Sequence, residues 1–416
     1  MTTSATPVTR GERIYTLDVI RGFALLGIFI MNMPWFNTSF YAGIDGNEPW
    51  PAWYDQLTQS ATDILFSGKF NSMFSMLFAI GFTIQLERLD ERDPEHARSI
   101  YLRRIFWLFV FGAIHMCVFW NGDVLHIYAV FGLLLLALRR APEKLLAALF
   151  VLCLVLPVGM SIWRLLTFRP EDGAHIVATA KAWVASNNAN YGAGTFVAAL
   201  GEHWRETVHA YTDPRSLRGM VGFVSQICAT MIIGLVLGRR HFFQESERHL
   251  AFVRKVQWWL LAAGLATGAV FVTWVQTTTD FVTPSPFRTI SGICYWLCRI
   301  LIMMFYVATI VRCVHNARIR PKLQIMATTG RMPLTNYLMQ TLIATAIFYG
   351  WGFGLWGKVG LAVDLVLSFA IFFAVQVPLS AWWLKRFEMG PMEFLWRKLT
   401  YGHATMKRAS PAEAPA

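Results

Sequence analysis

Charge is what this sequence has least of. Only 15% of its 416 residues are Asp, Glu, Lys or Arg, against roughly 25% in soluble domains. With 55% apolar residues, 32 Phe and 17 Trp, that shortage excludes a chain solvated mainly by water and makes lipid its main solvent. Paired cysteines are missing too. Cys117, Cys153, Cys228, Cys294, Cys298 and Cys313 all fall in or at the ends of apolar runs, and none forms a CxxC pair. Buried cysteines behave as small hydrophobes, so neither a disulfide nor a zinc site is inferred. The first apolar run lacks a small-residue cleavage site and is read as a span, not a signal peptide. There is no clear internal repeat, which weighs against an inverted-repeat transporter. The formal charge of +12 would suit a nucleic-acid binder. Its basic residues, however, sit in short clusters between apolar runs, so no nucleic-acid partner is expected.

What is present is a series of apolar runs of spanning length, about 20 residues each. They predict an all-α polytopic membrane protein with about ten transmembrane helices, near 17–36, 62–86, 102–120, 123–138, 144–166, 219–238, 256–276, 289–313, 332–351 and 360–384. Basic clusters precede the first run and recur in every second connection, at 88–104, 139–144, 239–255 and 312–331, and again beyond 385. The 37–60 connection has no Lys or Arg. The positive-inside rule then puts both termini in the cytoplasm and requires an even number of spans. One transmembrane domain covers 1–390, with an external connection at 168–218 expected to form short amphipathic helices. Residues 391–402 carry Met392, Leu395, Trp396 and Leu399 at helical spacing and read as an interfacial helix. Residues 403–416 read as a disordered tail. Gly27, Gly112 and Gly132 permit close helix packing, and a homodimer stays open.

Ionisable and amide side chains inside spans are expensive and mark functional sites. Asp18 and Arg21 open the first span three residues apart and can pair. Asn32 lies eleven residues beyond Arg21 on nearly the same face, about 16 Å along. Asp63 and Lys69 fall in the second run, where an internal salt bridge is the plain alternative. His115 sits in the third span, Asp123 in the turn after it and His126 at the start of the fourth. A histidine with a carboxylate in reach is a minimal general-base unit, and a structural hydrogen bond is the alternative. Asn336 and Gln340 share a face in the ninth span, where interhelical hydrogen bonding would also account for them. The glycines of 352–358 match GxGxxG and GxxxxGK, but no strand precedes them and Val359 follows Lys358, so they read as a turn. No metal site is expected.

Three segments carry a resemblance. LDVIRGFALLGIFIMNM, RRIFWLFVFGAIHMCVFWNGDVLHIYAV and the C-terminal GRMPLTNYLMQ…FYGWGFGLWG…WWLKRFEMGPMEFLWRKLTYG resemble the YeiB-like family of bacterial membrane proteins (domain of unknown function 418), over nearly the whole chain. The first helix is also similar to that of family-three membrane O-acyltransferases, which begin Leu-Asp-x-x-Arg-Gly with a His eleven residues after the Arg. Here that position is Asn32. Heparan-α-glucosaminide N-acetyltransferase is similar in having Asn there, with its working His in the following loop. This chain has no His between 33 and 95, so a base would come from elsewhere, His115 first and His126 second.

The resemblance implies a transmembrane acyltransferase in the bacterial cytoplasmic membrane. It would take acyl-CoA (acetyl-CoA) from the cytoplasm and acylate an extracytoplasmic glycan or lipid. Arg21, Arg103 and Arg104 would meet the CoA phosphates, and Asn32 would donate to the thioester oxygen. His115 would deprotonate the acceptor, oriented by Asp123. Asp18, Lys69, His126, Asn336 and Gln340 complete the expected substrate-binding set. The alternatives are a transporter or flippase, with Asp18, Arg21, Asp63, Lys69, His115 and Asp123 as an ion pathway, and a non-catalytic sensor or assembly factor.

Overall fold

A computed structural model describes residues 14–402. The described residues form sixteen α-helices and no β-strand. Eight helical segments are long and apolar enough to cross a membrane. The chain is an all-α polytopic membrane protein.

The first helix, α1 (Tyr15–Asn37), is apolar all round and buried along nearly its whole length. That pattern belongs to a helix in the centre of a bundle. Around it pack α3 (Lys69–Arg92), α11 (Pro286–Val314), α12 (Gln324–Gly330), α13 (Pro333–Phe348) and α14 (Leu361–Ile371). The outer helices α6 (Glu143–Thr167) and α10 (Leu250–Thr277) bury few residues. They expose Val151, Leu152, Val155 and Leu156, and Phe252, Trp258, Trp259 and Leu265, as lipid-facing helices do. The two remaining long spans are α4 (Ala97–Ile114), prolonged by a π-helical turn over His115–Phe119, and α9 (Pro214–Arg239).

The second expected run is not one helix. It breaks at 66–68 between α2 (Trp53–Leu65) and α3, because Gly68 takes a left-handed φ of 76° that costs glycine little. Asp63 and Lys69 therefore lie on different helices. Two expected spans come out short. Helix α5 (Leu125–Leu138) has 14 residues and α13 has 16, roughly 21 and 24 Å at 1.5 Å per residue. The expected 360–384 span is α14 and α15 (Val377–Leu384), joined by a π-helical turn at Phe372–Gln376.

The 168–218 connection folds into α7 (Pro170–Asn187) and α8 (Phe196–Thr212), which cap the bundle at the end remote from the arginine clusters. Helix α16 (Pro391–Tyr401) does not simply lie on a surface. Its Glu393 carboxylate accepts from the Leu334 and Thr335 backbone N–H groups at 2.7 and 3.1 Å, capping α13. Its Trp396 indole donates to the Arg104 carbonyl at 2.9 Å. The 352–358 glycines form a turn, pinned where the Gly357 N–H donates to the Asn37 carbonyl at 2.8 Å. The expected tail, 403–416, lies outside the described residues. Gly27 and Gly132 are used within the chain: an added Cβ would strike the Phe70 ring at 2.2 Å and Ile105 at 2.6 Å respectively.

Candidate functional site

Asp123 is the hub. It sits in the tight turn between the π-helical end of α4 and the start of α5. Its two oxygens take two histidines, His115 Nδ1 at Oδ1 and His126 Nδ1 at Oδ2, each at 2.8 Å. The His126 backbone N–H also donates to Oδ2 at 3.1 Å, and the Tyr337 hydroxyl to Oδ1 at 3.4 Å. A carboxylate that accepts both Nδ1–H groups leaves each Nε2 as an acceptor. Thr341 meets Nε2 of His115 at 2.9 Å. The Tyr211 hydroxyl, from α8, meets Nε2 of His126. Burial, reinforced by the Asp123 charge, pushes the Tyr211 phenol up to about 12, so at neutral pH it holds its proton and donates.

The approach of α4 to α5 depends on Gly112. A Cβ there would lie 2.3 Å from the His126 nitrogen and 2.9 Å from Asp123 Oδ2. Only glycine lets the two backbones come this close at the hub.

Two cavities flank this hub: one is lined by Asp123 and His126 themselves, the other comes as near as Val124 and Tyr337, whose hydroxyl donates to Asp123. The inner one, about 370 Å³, opens among Arg21, Arg88, Arg104, Arg331 and Arg397, with Asp18 and Glu393 also in its wall. Its wall continues through Phe74, Leu77, Phe78, Ile105 and Leu108 and includes Val124, Tyr128 and Tyr337. The outer one, about 260 Å³, is lined by Asn32, Asn71, Trp120, Asp123, His126, Glu206, Thr207 and Tyr211, among others. Val124 belongs to both walls.

The expected site residues divide accordingly. His115, Asp123 and His126 meet at the hub, but His126 lines a cavity and His115 lines neither. Both ring nitrogens of His115 are engaged by protein groups. Asn32 faces the outer cavity. Asp18 and Arg21 pair at 2.8 Å in the inner mouth, and Arg104 stacks on Trp396 there, 3.7 Å from the ring centre. Arg103, one residue away, points along α16 and donates to the Thr400 carbonyl at 3.3 Å.

Lys69, Asn336 and Gln340 line neither cavity. Lys69 is fully buried, and its ammonium donates to the Asp63 carbonyl at the end of α2. Arg299 is nearby, donating to Gln226 Oε1 at 2.6 Å. Asn336 donates to the Thr329 carbonyl at 3.1 Å and Ser380 Oγ at 3.0 Å. Gln340 donates to the Leu25 carbonyl at 3.1 Å and Gln376 Oε1 at 3.0 Å. These amides tie α1, α12, α13 and α15 together, as polar side chains do between membrane helices.

Sequence reasoning missed Thr341, Tyr211 and Glu206. Glu206 is buried on α8 and accepts from Asn121 at 2.6 Å, Tyr191 at 2.7 Å and Asn187 at 3.0 Å. Burial, with Tyr191 and Asn187 opposing it and Glu202 adding to it, pushes its carboxyl up to about 7. A helical reading of α8 puts Glu202 and Glu206 on one face at i, i+4, which was the available signal for Glu206.

Fold and site define a multi-pass helical membrane protein with a histidine–carboxylate hub between two opposed cavities. The chain belongs to the YeiB-like, DUF418 family. The family model described as "Protein of unknown function (DUF418)" matches residues 237–403. The chain is 31% identical over 414 residues to "Uncharacterized protein YxaH" of Bacillus subtilis, across 96% of each chain. It is 28% identical over 434 residues to "Uncharacterized protein YeiB" of Escherichia coli, across 96% of this chain and 98% of that one. No solved structure matches it significantly.

Proposed function

We propose that the protein is an acyltransferase of the bacterial cytoplasmic membrane, with the arginine-rich end in the cytoplasm. An acyl-CoA would enter the inner cavity, and the acyl acceptor, an extracytoplasmic glycan or lipid, would occupy the outer one. The observation that carries this reading is that two chemically unlike cavities lie on either side of one histidine–carboxylate hub, the outer lined by Asp123 and His126 and the inner ending at Val124 and Tyr337 beside them. A membrane-embedded transfer between substrates from opposite sides needs that arrangement.

In this reading the base is His126, not His115, because His126 faces the acceptor. The acceptor O–H displaces Tyr211 and gives its proton to Nε2 of His126. The oxygen attacks the thioester carbon, and Asn32 donates to the oxygen that gains charge. The tetrahedral intermediate then breaks its C–S bond, and the imidazolium returns the proton to the departing thiolate. Products are the acyl ester and free CoA. Asp123 holds the tautomer of His126 and stabilises its cation. His115, clamped by Thr341, is a positioning residue for Asp123. Arg21 and Arg104 meet the CoA phosphates.

Calorimetry with acetyl-CoA and longer acyl-CoAs tests the donor half. Saturable binding weakened by Arg21→Ala is expected, and absence of binding at millimolar ligand by folded protein would refute it. The single residue of wall shared by the two cavities, Val124, also suits a transporter. Acyl-CoA-independent, pH-driven flux in proteoliposomes would favour that second reading.

A further inference from the structure

We propose that the outer cavity is a site for one uncharged sugar ring, held by Trp120, Thr207 and Glu206, and that it rejects anionic headgroups. This takes its setting from the acyl-transfer reading but concerns binding alone. The ring would sit there whether it is acylated or carried.

Two buried polar atoms in this cavity wall have no hydrogen-bond partner among the described residues. They are the Trp120 indole nitrogen and the Thr207 hydroxyl, on residues only 2% and 9% exposed. A buried donor left unmade costs about 1–3 kcal/mol, so each is an unfilled demand for a hydroxyl. Trp120 cannot turn away to find one. Its ring packs over Gly122, where a Cβ would lie 2.4 Å from it, and against Phe36 with ring centres 4.4 Å apart.

The wall also carries a run of aromatic rings. Trp35 stacks on Phe40 at 5.1 Å and Phe40 on Trp120 at 6.1 Å, with Tyr211 and Phe223 also in the lining. A pyranose presents an apolar C–H face to such rings and an equatorial belt of hydroxyls to donors and acceptors around them.

Charge sets the selectivity. The lining contains no Lys or Arg but two carboxylates, Asp123 and Glu206. A phosphate or uronate would face the Asp123 carboxylate, and Glu206 increasingly as pH rises through 7, with no Lys or Arg in the lining to offset them, in a site where repulsion is strong. Glu206 already accepts from three neutral donors and can take one hydroxyl more on Oε1. At about 260 Å³ the cavity lies just under the roughly 300–1,000 Å³ range of small-molecule sites. That is room for one ring and not for a chain.

The test uses the full chain in lipid nanodiscs, since alkyl-glycoside detergents would compete. Calorimetry is run with methyl β-glucoside, methyl β-galactoside and methyl N-acetyl-β-glucosaminide, against glucuronate and glycerol 3-phosphate. At least one neutral glycoside should bind saturably and the anions should not. Thr207→Val and Trp120→Phe should each weaken that binding about tenfold, with an unchanged thermal midpoint as the folding control. Tighter binding of either anion, no binding by any glycoside, or binding indifferent to both substitutions would overturn the proposal. Glycoside binding without acyl transfer would leave it standing and remove the acyl-transfer reading. Acyl transfer to glycerol 3-phosphate would do the reverse.

Discussion

The two cavities share Val124 and little else. The inner cavity is walled by five arginines and two carboxylates; the outer has two carboxylates and no Lys or Arg. The inner is walled by α1, α3, α4 and α5 together with α13 and α16. The outer is a smaller chamber of mixed aromatic, apolar and polar side chains, walled on one side by the cap helix α8. A transporter moving one ligand through would need both walls to suit the same charge. Two walls of opposite preference suit two substrates that meet at the hub. Under the proposed acyl-transfer reading, the anionic partner belongs on the inner side and an uncharged one on the outer side.

The sharpest way to separate the cavities is Asp123→Asn. It removes the charge and turns one of the two oxygens that hold the histidine Nδ1–H groups into a donor, so one imidazole loses its tautomer, and transfer should fall about 10³–10⁴-fold, while acyl-CoA affinity in the inner cavity stays as it was. Equal loss of both would mean the cavities are not independent. Gly112→Ala should be nearly as damaging to transfer. It drives a Cβ into the His126 backbone, and overpacking of this kind costs typically 1–3 kcal/mol, readable as a lower thermal midpoint.

Arg104→Ala and Arg103→Ala make a paired experiment on adjacent residues. The first should weaken acyl-CoA binding about tenfold, with a shallower salt dependence. The second, whose side chain lies along α16, should leave it unchanged. The smallest expected effect concerns pH. The Glu206 carboxyl is raised from 4.5 to about 7, mainly by burial. The folded protein therefore holds this proton more tightly than the unfolded chain. The resulting stability is fully present below pH 4.5 and is lost as pH rises through 7. Thermal midpoints should decline across that window, and Glu206→Gln should flatten the decline.

Much of this architecture is legible along the chain. The long helices α1, α6, α9, α10 and α11 announce themselves as apolar runs, and Asp123 lies close in sequence to both of its histidines. The break at Gly68 does not, because apolar residues on both sides carry the hydropathy straight through it. The choice between His115 and His126 was also hidden. It turns on Thr341 and Tyr211, which arrive from helices 226 and 85 positions away. Asn336 and Gln340 looked like ligand-binding residues because a buried amide reads the same whether it faces a substrate or a neighbouring helix. Here Ser380 and Gln376 occupy that face. Glu206 and Thr207 were obscured by lying in a connection, outside the spans where buried polar groups stand out.

The most direct test of opposed substrates is sidedness. The protein is reconstituted into sealed vesicles in one orientation, with labelled acetyl-CoA supplied only on the arginine-rich side and the glycoside acceptor only on the other. The account predicts labelled ester on the acceptor side, lost with His126→Ala. Transfer only when donor and acceptor share one compartment would contradict it.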